Sequence, residues 1–455
     1  MNQKNTSDLA QIQSCQSVII CYNDKKGLMR PKLSEVQMEI KRDKYLEDLK
    51  DRMHNGMIKV ITGIRRCGKS YLIFSIFKDY LIKQGVDEKH IIEMEFDKKE
   101  NAKYRNPDDL LSFVNDHIKD IDDYFVLLDE VQMLEDFEEV LNSLLHIKNI
   151  DIYVTGSNSK FLSSDILTEF RGRGDEVHVY PLTFQEAMQN YKGDIYHGWA
   201  EYVTYGGLPL IWGMRTDQQK IKYLTDLFEK TYISDIIEHN SIEKTEELET
   251  LLNVLASAIG SLTNPTKIEA TFKSVLNSSI SRNTIVQYIG YLKDAFIVNE
   301  ANRYDVKGRK YIGTPLKYYY EDIGLRNARL GFRQMEETHL MENVVYNELL
   351  SRGYAVDVGV VETRKRNQEG KQEKRKLEID FIANMGSRRY YIQSAFQIPD
   401  KEKERQEKES LNSIGDSFKK IVLVRDVVKN SRDDKGIITM SIYDFLMDKD
   451  SLEKC

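Results

Sequence analysis

The run "MIKVITGIRRCGKSYLIFSIF", residues 57–77, constrains the fold of this chain more than any other stretch. A β-branched segment, "MIKVIT", leads straight into a turn bounded by Gly63 and Gly68, and an apolar helical stretch follows until Gly85 stops it. The spacing is G-x-x-x-x-G-K-S. Glycines at those two positions let consecutive backbone N–H groups turn toward an anion, and the following helix presents its positive end to the same point. Lys69 is then placed to reach the β- and γ-phosphates of ATP, and the Ser70 hydroxyl to ligate Mg2+. The expected nucleotide contact is the whole run Gly63, Ile64, Arg65, Arg66, Cys67, Gly68, Lys69, Ser70 and Tyr71, with Arg65 and Arg66 adding positive potential.

Further short apolar runs follow at "HIIEMEF" (90–96), "YFVLLDE" (124–130), "IDIYVTG" (150–156) and "EVHVY" (176–180), separated by helical segments. That alternation predicts an α/β fold with a parallel sheet covered on both faces. Ligands of such sheets bind at the carboxyl ends of the strands. Asp129 ends one run, where a carboxylate can hold the shell of a Mg2+ ion, and Glu130 beside it can polarise an attacking water. Asn158, after the next run, can hydrogen-bond the γ-phosphate or that water. Arg171 and Arg173 in "TEFRGRGDE" supply guanidinium groups that either stabilise transition-state charge or form ordinary surface ion pairs.

Charge and cysteine content narrow the remaining classes. Lys plus Arg number 66 against 73 Asp plus Glu, a net charge of −7, so a nucleic-acid contact would need a local basic patch. Cys15, Cys21, Cys67 and Cys455 form no C-x-x-C pair and no disulfide framework or zinc site. No apolar run approaches the ~20 residues of a membrane span. The expectation is a cytoplasmic protein without membrane contact.

The N-terminal residues 1–36 carry no periodic apolar pattern and read as a poorly ordered lead-in. "RDKYLEDLKDRMHNG" (42–56) is amphipathic and reads as a core helix. Residues 196–260 read as helical, interrupted by a turn at "YGGLP" (205–209). In the stretch after Thr263 a helix ends near Leu276 and Ser281 can cap a second one. That second helix buries Ile285, Tyr288, Ile289 and Leu292, while Arg282, Asn283, Thr284 and Gln287 face outward. "FIVNEANRYDVKGRKYIG" reads as a hairpin wing, which completes a winged-helix pattern. Such a unit serves protein contact, or DNA contact with Arg282, Asn283 and Gln287 on bases and Lys307, Arg309 and Lys310 on phosphates.

The last third gives a strand, the amphipathic helix "HLMENVVYNELLSRG", and three strand-like runs. The basic loop 364–376 joins the first two of these as a hairpin, either a phosphate contact or a solvated turn. This order is similar to the restriction-endonuclease-like fold, whose metal site uses an acid on the helix, an Asp, and a [DE]-x-Lys. Glu342 and Asp380 fill the first two places, but the third reads Gln393-Ser394-Ala395. Gln is a weaker Mg2+ ligand than a carboxylate, and Ala395 offers no amine. The expectation is a retained shape without nuclease activity.

"KVITGIRRCGKSYL", "LLDEVQ", "DIYVTGSNSKFLSSDILTEFRGRGDEVHVYPLTFQEA" and "YVTYGGLPL" together resemble prokaryotic AAA+-type P-loop ATPases with a C-terminal restriction-endonuclease-like domain. The resemblance runs from about residue 37 to the end. It implies Walker A at 63–70, Walker B at Asp129-Glu130, a first sensor at Asn158 and an arginine finger at Arg171 or Arg173. It gives no clear second-sensor arginine, and for residues 42–56 it implies a segment beside the adenine instead of a core helix. The expected organisation is a lead-in (1–36), an AAA+-like P-loop domain (37–195), a helical and winged-helix region (196–315) and an inactive nuclease-like domain (316–455). The expected activity is Mg2+-dependent ATP hydrolysis that moves a DNA- or protein-binding half. The alternatives are a nucleotide-gated switch with negligible turnover and a DNA nuclease. AAA+ resemblance also implies assembly as a homo-oligomer.

Overall fold

Strand placement follows the β-branched runs closely. The computed structural model describes residues 21–23, 29–31, 40–156, 170, 172–275, 280–366 and 372–454. Residues 1–39 form a unit of their own, in which β1 (Cys21–Asn23) pairs antiparallel with β2 (Met29–Pro31), Tyr22 opposite Arg30. The lead-in expected over residues 1–36 falls mostly outside the described residues.

From Ile40 onward the chain forms a second unit. Its first sheet has five parallel strands: β3 (Ile58–Thr62), β4 (Ile91–Glu95), β5 (Tyr124–Asp129), β6 (Ile150–Thr155) and β7 (Gly174–His178). Their order across the sheet is β4-β5-β6-β3-β7. Alternate residues serve opposite faces, as the pleat requires. Ile61, Phe125, Leu127, Tyr153 and Val177 pack with Leu72, Ile73 and Phe77 of the helix after the glycine turn. Ile58, Val60, Val126, Leu128 and Val154 pack with Leu110, Val114, Val140 and Leu141 on the other face. Burial on both faces is why these strands read as continuous apolar runs rather than alternating ones.

A helical region follows, with helices Ile195–Tyr205, Asp217–Leu227, Thr245–Ser257, Pro265–Val275 and Arg282–Asp294. The second continues through a π-helical stretch, Phe228–Ile233, into Ser234–His239. Ser281 caps the last helix by accepting from Thr284 N at 3.1 Å, and Ile285, Tyr288, Ile289 and Leu292 are its buried face. Arg282, Asn283 and Gln287 are exposed, with Gln287 Nε2 donating to Tyr291 Oη at 2.6 Å.

The second sheet has eight strands in the order β14-β15-β13-β12-β11-β10-β8-β9. These are β8 (Val298–Asp305), β9 (Lys310–Tyr320), β10 (Ala355–Arg366), β11 (Gln372–Met385), β12 (Arg388–Ala395), β13 (Lys419–Val424), β14 (Ser431–Arg432) and β15 (Ile437–Ser441). Helices Glu337–Ser351 and Lys401–Asn412 pack on it.

Two expectations need correction. The hairpin read as a projecting wing is β8 with β9, and β8 also pairs in parallel with β10 through Val358–Val360. The boundary drawn at residues 315/316 therefore falls inside β9 and divides no domains. An unpaired strand edge carries donors and acceptors that a distant strand satisfies as well as a local one, and the hydrophobic pattern does not record which.

Candidate nucleotide site

Thr62 ends β3, and the chain turns at once into the glycine loop. Gly63 has φ +132°, and a β-carbon there would sit 2.2 Å from Val179 O, so only glycine fits. Gly68 caps the following helix with φ +107°, and that helix opens with Lys69–Tyr71. Its first-turn N–H groups have no intrahelical acceptor. Lys69 is 6% exposed and folds back, Nζ donating to Gly63 O at 2.7 Å and Ile64 O at 3.0 Å.

Beside the loop, at the carboxyl end of β5, Asp129 Oδ1 accepts from Ser70 Oγ at 3.1 Å and from Thr155 Oγ1. Burial pushes the Asp129 carboxyl above the usual range, with Glu130 adding to the shift while the two hydroxyls and Lys69 oppose it. Glu130 takes a left-handed backbone (φ +53°), its N–H donates to Thr155 Oγ1 at 3.4 Å, and its carboxylate accepts from Gln132 Nε2. Carboxylate oxygens of Glu95, Asp97 and Asp129 lie within 4.8 Å of one another. An oxygen-only set of hydroxyl and carboxylates is the donor chemistry of Mg2+, so these residues fit that ion. Glu95 and Asp97 were missed from sequence; the acid at the end of the neighbouring strand was the available signal.

Two residues far from the loop in sequence, Arg42 and Tyr232, hold its backbone. Arg42 donates from Nη1 to Cys67 O (3.1 Å) and from Nη2 to Tyr180 O (2.7 Å), and pairs with Glu186 at 3.0 Å. Tyr232 Oη donates to Arg65 O at 2.6 Å, and Arg65 pairs with Asp235 at 2.9 Å. Cys67 is fully buried, which pushes its thiol up and leaves it a packing residue. Ile64 is likewise buried, Arg66 takes φ +64° within the loop, and Tyr71 is partly exposed.

Asn158 and Arg171 lie outside the described residues. Arg173 sits just before β7, where its carbonyl accepts from Ile58 N at 2.8 Å, and Nη1 contacts Asn142 Oδ1 at 3.4 Å. Ile58 begins β3 and the glycine loop follows its end. At ~3.3 Å per strand residue, Arg173 is more than about 10 Å of strand from the loop of its own chain.

A second polar line leaves the loop strand. Thr62 Oγ1 donates to Glu176 Oε1 at 2.6 Å and lies 3.0 Å from His178 Nδ1. His178 Nε2 lies 3.1 Å from Glu321 Oε1, and Asn299 Nδ2 donates to Glu321 Oε2 at 3.3 Å. The imidazole stacks edge-on against Tyr180 and Phe296, each 4.4 Å away.

The C-terminal sheet holds a second cluster of chemistry-bearing residues. Lys317 Nζ lies 2.7 Å from Glu342 Oε1, 2.8 Å from Glu378 Oε1 and 3.7 Å from Asp380 Oδ1. Tyr319 Oη donates to Glu342 at 2.7 Å, and Ser394 N to Asp380 Oδ2 at 2.8 Å. Burial and the neighbouring Glu342 push the Asp380 carboxyl up. The expectation that this centre lacks a lysine is corrected here: Ala395 offers none, but β9 brings Lys317 from a strand the local motif does not include. Of the basic loop 364–376, residues 367–371 lie outside the described residues; Arg375 pairs with Glu409 at 3.1 Å and Lys376 with Glu362 at 3.8 Å.

Comparison with known proteins agrees with the first sheet. Residues 55–188 match the AAA domain family, and residues 196–336 match a domain of unknown function. A Haemophilus influenzae protein described as uncharacterized is 32% identical over 414 residues, 90% of this chain and 98% of that one. An uncharacterized Methanocaldococcus jannaschii protein is 27% identical over 385 residues, 81% of each chain. Among solved structures, the Aeropyrum pernix ORC1 protein in complex with DNA aligns over 64% of this chain and 92% of that chain. At 13% identity and a TM-score of 0.26, nothing further rests on that likeness. Among the described residues, no helix is long and apolar enough to cross a membrane. A five-stranded parallel sheet with a glycine loop after β3, and 32% identity to the Haemophilus influenzae protein over 90% of the chain, make this chain a member of that protein's family, built on an AAA+ P-loop nucleotide-binding domain.

Proposed function

We propose that this protein binds ATP at residues 63–71 and hydrolyses it, and that nucleotide state repositions the C-terminal half. The single observation that carries the reading is the meeting of Ser70, Asp129 and Thr155 beside the loop, with Glu130 next in line. Ser70 and Asp129 would hold Mg2+, which supplies charge neutralisation at the β- and γ-phosphates. Lys69 leaves the Gly63 and Ile64 carbonyls for the phosphates, exchanging neutral acceptors for charged ones. Glu130 orients and polarises the attacking water. Asn158 and Arg171 keep the sensor and finger roles their motif implies. Arg173 reaches a γ-phosphate only across an interface, which requires a homo-oligomer. The helical region and second sheet are the moving half. Its helix–β10–β11–β12–helix–β13 order supports a restriction-endonuclease-like shape, and Arg282, Asn283 and Gln287 give helix Arg282–Asp294 a polar face for DNA or protein.

The test is steady-state phosphate release with Mg-ATP and nucleotide binding by titration. Lys69→Ala should abolish binding, and Glu130→Gln should keep binding while lowering turnover by about two to three orders of magnitude, the scale seen when one transition-state contact is removed. Unchanged affinity in Lys69→Ala overturns the site.

A second reading, a nucleotide-gated switch with negligible turnover, is favoured by one contact: Gln132 occupies the Glu130 carboxylate. Under that reading wild type turns over no faster than Glu130→Gln, and Gln132→Ala raises the rate by removing that contact.

A further inference from the structure

The second sheet carries an aromatic row, reaching from its β8–β9 edge to β12 and the start of β13, that the nucleotide site does not use. Tyr304 on β8 lies directly opposite Tyr311 on β9, the rings edge-on with centroids 5.4 Å apart. The Arg389 guanidinium lies 5.5 Å from the Tyr304 ring and 5.4 Å from the Phe418 ring, so Tyr311, Tyr304, Arg389 and Phe418 form one continuous line. Inward of this line, Val361, Ile379 and Val422 are buried with Leu411 of helix Lys401–Asn412, and Tyr304 packs at the margin of that cluster. Tyr311 is 66% exposed and Phe418 40%.

The row is held in place rather than loosely displayed. Tyr311 Oη donates to Asp357 Oδ2 at 3.3 Å, and Tyr391, whose ring lies 6.5 Å from that of Phe418, donates to Asp416 at 2.6 Å. Asp357 and Asp416 are thus each engaged by a tyrosine hydroxyl, and Asp305, next to Tyr304, accepts from Gly308 N at 2.9 Å. Arg309 and Lys310 immediately precede Tyr311, both exposed, and among the described residues neither has an ion pair. Both cations sit at the tip of the β8–β9 hairpin, Lys310 across from Asp305 and Arg309 in the turn.

We propose that this row is a binding platform for single-stranded nucleic acid. Fixed aromatic and guanidinium planes with adjacent unpaired cations match unstacked bases on a polyanionic backbone. In a duplex those base faces are covered by neighbouring pairs, so the platform discriminates against it. The inference stands independently of the ATP reading.

The experiment is fluorescence anisotropy of the full chain without nucleotide, using a labelled thymidine oligomer of about 20 nucleotides and the corresponding duplex. Single strand should bind more tightly than duplex. Tyr311→Ala and Phe418→Ala should each weaken single-strand binding by about tenfold, and Tyr311→Phe should retain it. Arg309→Glu with Lys310→Glu should flatten the salt dependence by roughly 1.4 in the log–log slope. Both rings are exposed and lie on different elements, so a misfolded variant at one, detected by thermal melting, leaves the other decisive. Absence of single-strand binding overturns the proposal. So does equal or tighter duplex binding, which would assign nucleic acid to helix Arg282–Asp294. Loss on charge reversal with both alanine variants unchanged also overturns it, leaving electrostatics without stacking. Because no ATP is present, failure here is separate from failure of the nucleotide site.

Discussion

His178 Nε2 lies 3.1 Å from Glu321 Oε1, which joins the last residue of β7 to the first residue after β9. On its other side the same ring lies 3.0 Å from Thr62, the residue before Gly63. Glu321 is 2% exposed, so its carboxylate depends on these protein partners rather than on water. A displacement of the nucleotide loop therefore has a short polar route to the second sheet.

His178→Ala should leave ATP affinity within a few-fold and remove the effect of ATP on hydrogen exchange in β8 and β9. Glu321→Gln, which keeps a hydrogen-bonding side chain, should retain part of that effect. Equal ATP-induced protection in wild type and His178→Ala would exclude this route.

Gly63→Ala should be far more damaging than Gly85→Ala. At Gly63 the added carbon meets Val179 O at 2.2 Å, whereas at Gly85 nothing lies within 4 Å and only the positive φ resists. The second change should cost about 1 kcal/mol and the first several, with loss of nucleotide binding. Denaturant midpoints and ATP titration measure both.

Removing the Lys317 ammonium leaves buried Glu342 and Asp380 uncompensated. Lys317→Met should destabilise the protein by about 3–5 kcal/mol near pH 8. Lower pH should recover part of the loss, because the Asp380 carboxyl, which burial pushes up, then binds a proton and its repulsion with Glu342 ends. A pH-independent loss would mean that packing, not charge, dominates at this position.

Asp322 is fully buried, and burial pushes its carboxyl up to about 6 from 3.8, although Gly207 N and Leu325 N donate to it at 2.8 and 2.9 Å. The folded protein then holds this proton more tightly than the unfolded chain. Its contribution is fully present below pH 3.8 and is lost as pH rises through 6, about 3 kcal/mol in all. The thermal midpoint of Asp322→Asn should therefore gain on wild type between pH 4 and pH 7. A constant difference across that range would place the cost elsewhere.

Local signals carried the parts of this protein that depend on neighbours in sequence. The β-branched run before Gly63, the glycine spacing, the acids after "YFVLL" and the Ser281 cap each express a backbone or side-chain preference acting within a few residues. They placed the parallel sheet, the loop, Asp129 with Glu130, and the buried face of helix Arg282–Asp294. Contacts between distant residues had no such signal. Arg42 reaches Cys67 across 25 positions, Tyr232 reaches Arg65 across 167, and His178 meets Glu321 across 143. Lys317 joins the Glu342 and Asp380 cluster because β9 runs beside it, and β8 with β9 joins the large sheet because β10 completes its hydrogen bonds. Composition and periodicity say that a lysine or a strand edge needs a partner; only the chain's packing decides which one it finds.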